Sequence, residues 1–222
     1  MSLVFRDTPS PNFNDRTCPL ACIVLHYTGM ETGAAALERM CDPQAQVSAH
    51  YMVEEDGAVC RLVDESRRAW HAGVSYWRGE RDLNSASIGI EIVNGGHDFG
   101  LPGFPAVQID AVSALVRDIM GRHGIAPREV IGHSDIAPGR KIDPGEKFPW
   151  TQLAEAGCAL ALPQTRVAGE PDALLERIGY GLEPGLPAVI EAFQRRWRPG
   201  RVDGQLDDET RELIGRVASV FL

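Results

Sequence analysis

The chain has 222 residues, 44% of them hydrophobic, and a formal charge of −9. That length allows one domain of ordinary size and a small second one, and the composition excludes a disordered chain. The acidic balance argues against a nucleic-acid partner, and no uncharged apolar run approaches the ~20 residues of a membrane span.

The opening residues, "MSLVFRDTPSPNFNDR", lack the apolar centre of a secretory signal. A cytoplasmic location is the expectation, with the periplasm or cell envelope as the alternative if a leader has been removed. "MSL" reads as a cloning remnant, with the native start then unseen. The five cysteines, Cys18, Cys22, Cys41, Cys60 and Cys158, are odd in number and form no repeating close pair. That pattern fits free thiols in a reducing compartment. Cys18 and Cys22 would be half of a metal site, but no second pair completes it.

"LACIVLHYT" (20–28) is almost continuously apolar and predicts a buried strand. "TGAAALERMC" (32–41) predicts a helix with Ala35, Leu37 and Met40 on its inner face, stopped by Pro43. "VSAHYMVEEDGAVCRLV" (47–63) predicts a hairpin around Asp56-Gly57, and "SIGIEIVN" (87–94) another strand before a long loop. Residues 106–123 carry Val107, Ile109, Val112, Leu115, Val116 and Ile119 at helical spacing, with Gly124 as C-cap. "REVIGH" (128–133) predicts a strand and "TQLAEAG" (151–157) a short helix. The fold class is therefore α/β, a mixed central sheet flanked by helices, plus a small three-helix C-terminal unit. The expected division is a catalytic domain over 1–157, a linker over 158–170 and a helical domain over 171–222. In the last, Pro187 sits in a first turn and Asp207 or Asp208 is a cap. A unit of that size is near the lower limit for folding alone and should lean on the main domain.

"VIGHSDIAPGRKIDPGEKFPW" (130–150) packs His, Asp, Lys and Arg into a loop stiffened by proline. It reads as a solvated linker or as a site with fixed polar atoms. His26 ends the first buried strand, His133 ends the last one, and Asp143 follows ten residues later. Singly, each His reads as structural. Together, two imidazoles and a carboxylate are the ligand set of a catalytic zinc with an open position. Pro138 and Pro144 would restrict the loop that carries Asp143. Glu91 lies in "IGIEIV", on the face of Gly89 and Val93. It is either an edge charge facing water or a general base with a raised pKa. Lys141 is either a surface lysine or an oxyanion donor on the side of Asp143.

"VLHYTG", "VSAHYMVEEDG", "AWHAGVS", "NSASIGIEI" and "GHSDIAPGRKIDPGEKFPW" resemble, in family order, the zinc-dependent N-acetylmuramoyl-L-alanine amidases of the type-2 family. They cover roughly residues 20–157. The likeness is greatest to the bacterial subgroup that cleaves muropeptides and anhydro-muropeptides. The resemblance implies Zn²⁺ as cofactor, held by His26, His133 and Asp143. It implies Glu91 as acid/base and Lys141 as oxyanion stabiliser. The reaction implied is hydrolysis of the amide between N-acetylmuramic acid and L-alanine. Partners implied are peptidoglycan fragments or cell wall. "AFQRRW" and "DGQLDDET" in the tail resemble the small helical peptidoglycan-binding domain found beside such amidases.

Tyr27, Trp70, His71 and Asn84 are candidate substrate contacts. Trp70 has core packing as its alternative, His71 a loop-orienting role, and Asn84 a turn cap. His50 is expected to be structural, and His97 and His123 to face solvent. Arg78, Arg81 and Arg140 would offset the acidic surface near an anionic substrate. Two other functions stay open: a module that grips muropeptides without cutting them, and a zinc peptidase that cuts within the stem peptide.

Overall fold

The computed structural model describes residues 3–221. The reading of "MSL" rests on residues 1 and 2 and lies outside the described residues, as do the outermost domain limits. The strands are β1 (Phe5–Asp7), β2 (Phe13–Asp15), β3 (Cys22–Tyr27), β4 (Tyr51–Val53), β5 (Val59–Arg61), β6 (Arg67–Ala69), β7 (Ser87–Ile92) and β8 (Val130–Gly132). The helices are α1 (Gly33–Cys41), α2 (Leu83–Ala86), α3 (Ala106–His123), α4 (His133–Ile136), α5 (Trp150–Glu155), α6 (Pro171–Ile178), α7 (Leu186–Trp197) and α8 (Asp208–Ala218). The main sheet has the order β1-β5-β4-β7-β3-β8, and β2 pairs with β6 apart from it. β3 runs parallel to both β7 and β8, while the β4–β5 hairpin is antiparallel. No helix among the described residues is long and apolar enough to cross a membrane.

Alternation along the strands sorts the core into two faces. Ile23 and Leu25 of β3, with Ile88, Ile90 and Ile92 of β7, pack on Ile109, Val112, Leu115, Val116 and Ile119 of α3. Each such burial contributes about 1.5–3 kcal/mol. The opposite face carries two separate apolar clusters. One joins Cys22, Val24 and Ile131 to Tyr180, Val189, Phe193 and Ile214 of the tail. The other joins Met52, Cys60 and Val93 to Ala36 and Met40 of α1. Between them, on the same face by alternation, lie His26, Gly89 and Glu91. The polar site is thus the strip of sheet left between two apolar clusters.

α3 ends where Gly124 turns left-handed, φ 68°, and its N–H caps Met120. Val107, one of the apolar residues at helical spacing, is 39% exposed. α1 buries Gly33, Ala36 and Met40, whereas Ala35 is half-buried and gives its amide to the Thr32 cap. His133 is not the end of a strand: β8 stops at Gly132 and His133 begins the single turn α4. β1, β2 and β6 had no signal in the sequence, because "FRD", "FND" and "RRA" are charged triplets without apolar alternation.

The three tail helices lie on the sheet, as their size requires. Asp207 caps α8 by accepting the Thr210 amide, and Pro187 occupies the first turn of α7. The segment before them is docked along α8: Val167 N–H donates to Gly215 O at 3.0 Å, and Arg216 to Pro163 O at 2.6 Å.

Glu65 ties the hairpin side of the sheet to the end of α3. It accepts from Tyr51 Oη at 2.7 Å, from His123 at 2.6 Å, and from Arg122 through both carboxylate oxygens. His123, although exposed, is therefore paired. Burial alone would raise the Glu65 pKa, but Arg122, Tyr51 and His123 outweigh it and hold the carboxyl down to about 2. A depressed folded pKa means stability that is complete above the ordinary value of 4.5 and lost as pH falls toward 2. Melting temperatures measured across that window should fall less steeply for Glu65→Gln than for the parent protein. Parallel acid limbs would contradict this.

Candidate metal centre and active site

β3, α4 and the loop after α4 each bring one side chain to the open strip of the sheet. His26 Nδ1 lies 2.9 Å from His133 Nδ1 and 3.1 Å from Asp143 Oδ2, and His133 Nδ1 lies 3.0 Å from the same oxygen. All three side chains are buried. Ser134 N–H donates to Asp143 O at 2.9 Å, so the backbone links the two loop residues directly.

The outer ring nitrogens fix which atoms face inward. His133 Nε2 lies 3.1 Å from Ala72 O, a group that only accepts, so Nε2 carries the proton and Nδ1 presents its lone pair. His26 Nε2 lies 3.0 Å from His71 Nδ1, and His71 Nε2 lies 3.3 Å from Ser87 Oγ. Ser87 spends its own proton on Leu83 O. The chain therefore runs one way: His71 donates to Ser87, His26 donates to His71, and His26 Nδ1 is left bare. Burial and the neighbouring His133 push the His26 pKa down to about 4, so it is neutral at pH 7. Asp143 would be raised by burial, but the two imidazoles hold it well below its ordinary value.

Two lone pairs and a carboxylate oxygen thus meet with no donor between them, which is a site for a cation. The donor set suits zinc, and the triangle is small enough for one ion to touch all three atoms at the usual ~2.0–2.2 Å. His26, His133 and Asp143 are the residues that would hold it.

Glu91 neighbours His26 across the parallel β3–β7 pair. Its Oε2 is buried and has no hydrogen-bond partner. Burial, then Asp143, push its pKa well above the ordinary value, with Lys141 opposing. The edge-charge reading therefore fails, since β7 is central in the sheet. Glu91, Lys141, His133 and Asp143 line one cleft of about 450 Å³, a volume ordinary for a ligand pocket. Tyr27, Trp70, His71, Arg39, Arg140 and Ile142 also line it. The cleft opens at the carboxyl ends of β3 and β7, where open α/β sheets place ligands.

The other candidates divide. Tyr27 donates to or accepts from His97 Nδ1 at 3.0 Å, and burial pushes its phenol up to about 12. Trp70 forms cleft wall while its Nε1–H donates to Asn14 Oδ1 at 2.7 Å. Asn84 is a correction: it lies outside the cleft lining, and its Oδ1 accepts the amides of His71 and Ala72 at 2.8 and 2.7 Å. It shapes the loop that carries His71. His97 is also a correction, being half-buried between Tyr27 and Glu146. His50 is fully buried and accepts Gly89 N–H, a structural role. Of the three arginines, Arg140 alone lines the cleft, and it grips Ala72 O and Val74 O. Arg78 and Arg81 are paired elsewhere, with Glu129 and Glu183.

Sequence reasoning missed the orienting function of His71 toward His26, although a signal existed. Gly89 sits mid-strand, where glycine marks a close approach. A Cβ there would meet the His71 ring at 2.5–2.6 Å. Gly89→Ala should displace His71 and weaken zinc binding by roughly 10–100-fold, the usual effect of losing an outer-shell partner. Competition with a chelating dye measures this, and unchanged affinity would contradict the orienting role.

Residues 16–146 match the family described as N-acetylmuramoyl-L-alanine amidase, Amidase_2. The chain is 38% identical to the N-acetylmuramoyl-L-alanine amidase AmiD of Escherichia coli K12, over 86% of this chain and 79% of that one. It is 33% identical to the 1,6-anhydro-N-acetylmuramyl-L-alanine amidase AmpD of the same organism, over 67% of this chain and 89% of that one. Among solved structures, it superposes on E. coli AmiD in complex with the substrate anhydro-N-acetylmuramic acid-L-Ala-D-gamma-Glu-L-Lys. The TM-score is 0.81 at 35% identity, over 90% of this chain and 89% of that one. AmpDh3 of Pseudomonas aeruginosa in complex with anhydromuramic pentapeptide gives a TM-score of 0.81 at 33% identity, over 90% and 92%.

Proposed function

We infer the reaction from one premise: the chain belongs to the N-acetylmuramoyl-L-alanine amidase family. The protein hydrolyses the amide joining the lactyl group of N-acetylmuramic acid, or of its 1,6-anhydro form, to the L-alanine of a stem peptide. The reaction belongs to cell-wall turnover or recycling. The observation that carries this reading is the buried His26–His133–Asp143 triangle with the unpartnered Glu91 carboxyl in the same cleft. The relatives AmiD and AmpDh3, in complex with anhydromuramyl peptides, support the substrate class.

Zinc is the cofactor of this reading; bound by the three residues, it supplies an acidified water and a polarised carbonyl. The chain's own residues do the rest. His26 and His133 keep their inward nitrogens oriented because their outer nitrogens are engaged by His71 and Ala72 O. Glu91, half-buried with its Oε2 fully covered, takes a proton from the attacking water as the water oxygen bonds to the carbonyl carbon. The C–N bond then breaks, and Glu91 returns that proton to the leaving amine of L-alanine. Lys141, which lines the same cleft, donates to the oxyanion that forms on the carbonyl oxygen. Tyr27 and Trp70, which line the cleft, offer the sugar and peptide flat surfaces.

Incubation with anhydro-muropeptide, with and without chelator, tests the reading by mass spectrometry. It predicts free stem peptide beginning with L-alanine, lost on chelation and restored by zinc. Muropeptide retained uncut would make the site a recognition module, and cuts within the stem would make it a peptidase.

A further inference from the structure

We propose that the C-terminal helices act as a brace on the metal-ligand loop, through the consecutive residues Arg195 and Arg196 of α7 and through Tyr180. This rests on the reading above, that His133 and Asp143 hold a metal. The tail has its own apolar contacts with the sheet, and those would suffice to dock it. It also makes polar contacts. Some lie elsewhere, as Arg81 with Glu183 and Arg78 N–H with Gly179 O, but its buried charged side chains reach the two ends of the segment that runs from His133 to Glu146.

At the first end is Asp135, two residues after His133 and 1% exposed. Its Oδ2 reaches back to Gly132 N–H at 2.9 Å and so holds the turn that starts at His133. Tyr180 Oη donates to Asp135 Oδ1 at 2.6 Å. Arg196 Nη1 reaches Asp135 Oδ2 at 3.4 Å and Val130 O at 3.1 Å. Tyr180 is 1% exposed, and burial keeps its phenol protonated and a donor. The Arg196 guanidinium is further fixed between Trp150 and Trp197, 4.0 and 4.8 Å from their ring centres.

At the second end is Glu146, three residues after Asp143. Arg195, 7% exposed, pairs with Glu191 of its own helix at 2.7 Å and turns its Nε to 3.7 Å from Glu146 Oε2, a charge contact longer than a hydrogen bond. The same oxygen meets His97 at 3.0 Å, and His97 meets the cleft residue Tyr27. Two adjacent side chains of one helix thus address both flanks of the ligand loop. A pair of buried arginines is costly unless each has a task, since guanidinium desolvation is not recovered by packing alone. Tyr180, Arg195 and Arg196 are positioning residues: none lines the cleft.

Tyr180→Phe tests the brace, because it removes one hydroxyl and keeps the ring packed on Trp77. Two readouts separate this inference from the metal reading. The first is amide hydrogen exchange at Gly132 and Ser134 in metal-free protein. The brace predicts exchange faster by about 2–12-fold, the value of one hydrogen bond, with Leu25 in the sheet unchanged. The second is zinc affinity, predicted to fall several-fold. Ile190→Ala, which thins the tail's core without touching Asp135, serves as the control for general loosening. It should lower the melting temperature and leave Gly132 and Ser134 no faster than Leu25. Tyr180→Phe with parental exchange at both amides overturns the brace. So does Ile190→Ala with the same local effect as Tyr180→Phe. Faster exchange at the two amides in a protein that binds no zinc would keep the brace and reject the metal reading instead.

Discussion

Glu91→Gln should retain zinc and the fold while kcat falls by roughly 10²–10⁴, the range for a lost general acid–base group. The substitution preserves shape in a central strand and removes only the capacity to take and return a proton. KM should change little, because the carboxyl acts on the water and the leaving nitrogen rather than on bound sugar or peptide. Glutamine also removes the cost of holding a carboxylate with one oxygen, Oε2, buried and unpartnered. The melting temperature of the metal-free variant at neutral pH should therefore equal or exceed that of the parent. The direction follows from linkage: a carboxyl whose folded pKa is raised destabilises the fold above its unfolded pKa and is neutral below it. Steady-state kinetics with parallel melts measures both effects. Parental kcat would remove Glu91 from the chemistry, and a large rise in KM would make it a binding group.

His26→Ala should remove turnover and metal together. The parent should gain stability with zinc as mass action requires, about 2.7 kcal/mol at a free concentration 100 times Kd. The variant loses one of three inward donor atoms and also leaves His71 Nδ1 without its partner. Zinc should then no longer raise the melting temperature in the range that protects the parent. Zinc-dependent protection surviving intact in His26→Ala would move the metal elsewhere.

The site was legible in outline because its chemistry is written in residue types. A histidine near the end of a buried strand, a second before a stiff, charge-rich loop and a glutamate inside "IGIEIV" are each odd enough to notice. Strand alternation then put Gly89 and Glu91 on one face, and the parallel register of β3 with β7 placed Glu91 beside His26. What the sequence could not show is the second layer of contacts. The donor chain from His26 through His71 and Ser87 to Leu83 O joins four positions with no shared period. Asn84 reads from the sequence as a substrate contact or a turn cap, and its oxygen is spent on two loop amides. The same limit applies to the tail. "AFQRRW" shows an amphipathic helix, but where Arg195 and Arg196 point depends on docking across the sheet, which no local pattern encodes. The short strands β1, β2 and β6 were invisible for the related reason that their pairing is set by neighbours rather than by their own side chains.

The most direct test is hydrolysis of anhydro-muropeptide in water enriched in ¹⁸O, followed by mass analysis of both products. The account predicts one ¹⁸O in the lactyl carboxylate of the anhydro-muramic acid and none in the L-alanine stem peptide, with neither product formed after chelation. Label in a peptide fragment, or products that persist in the metal-free protein, would contradict it.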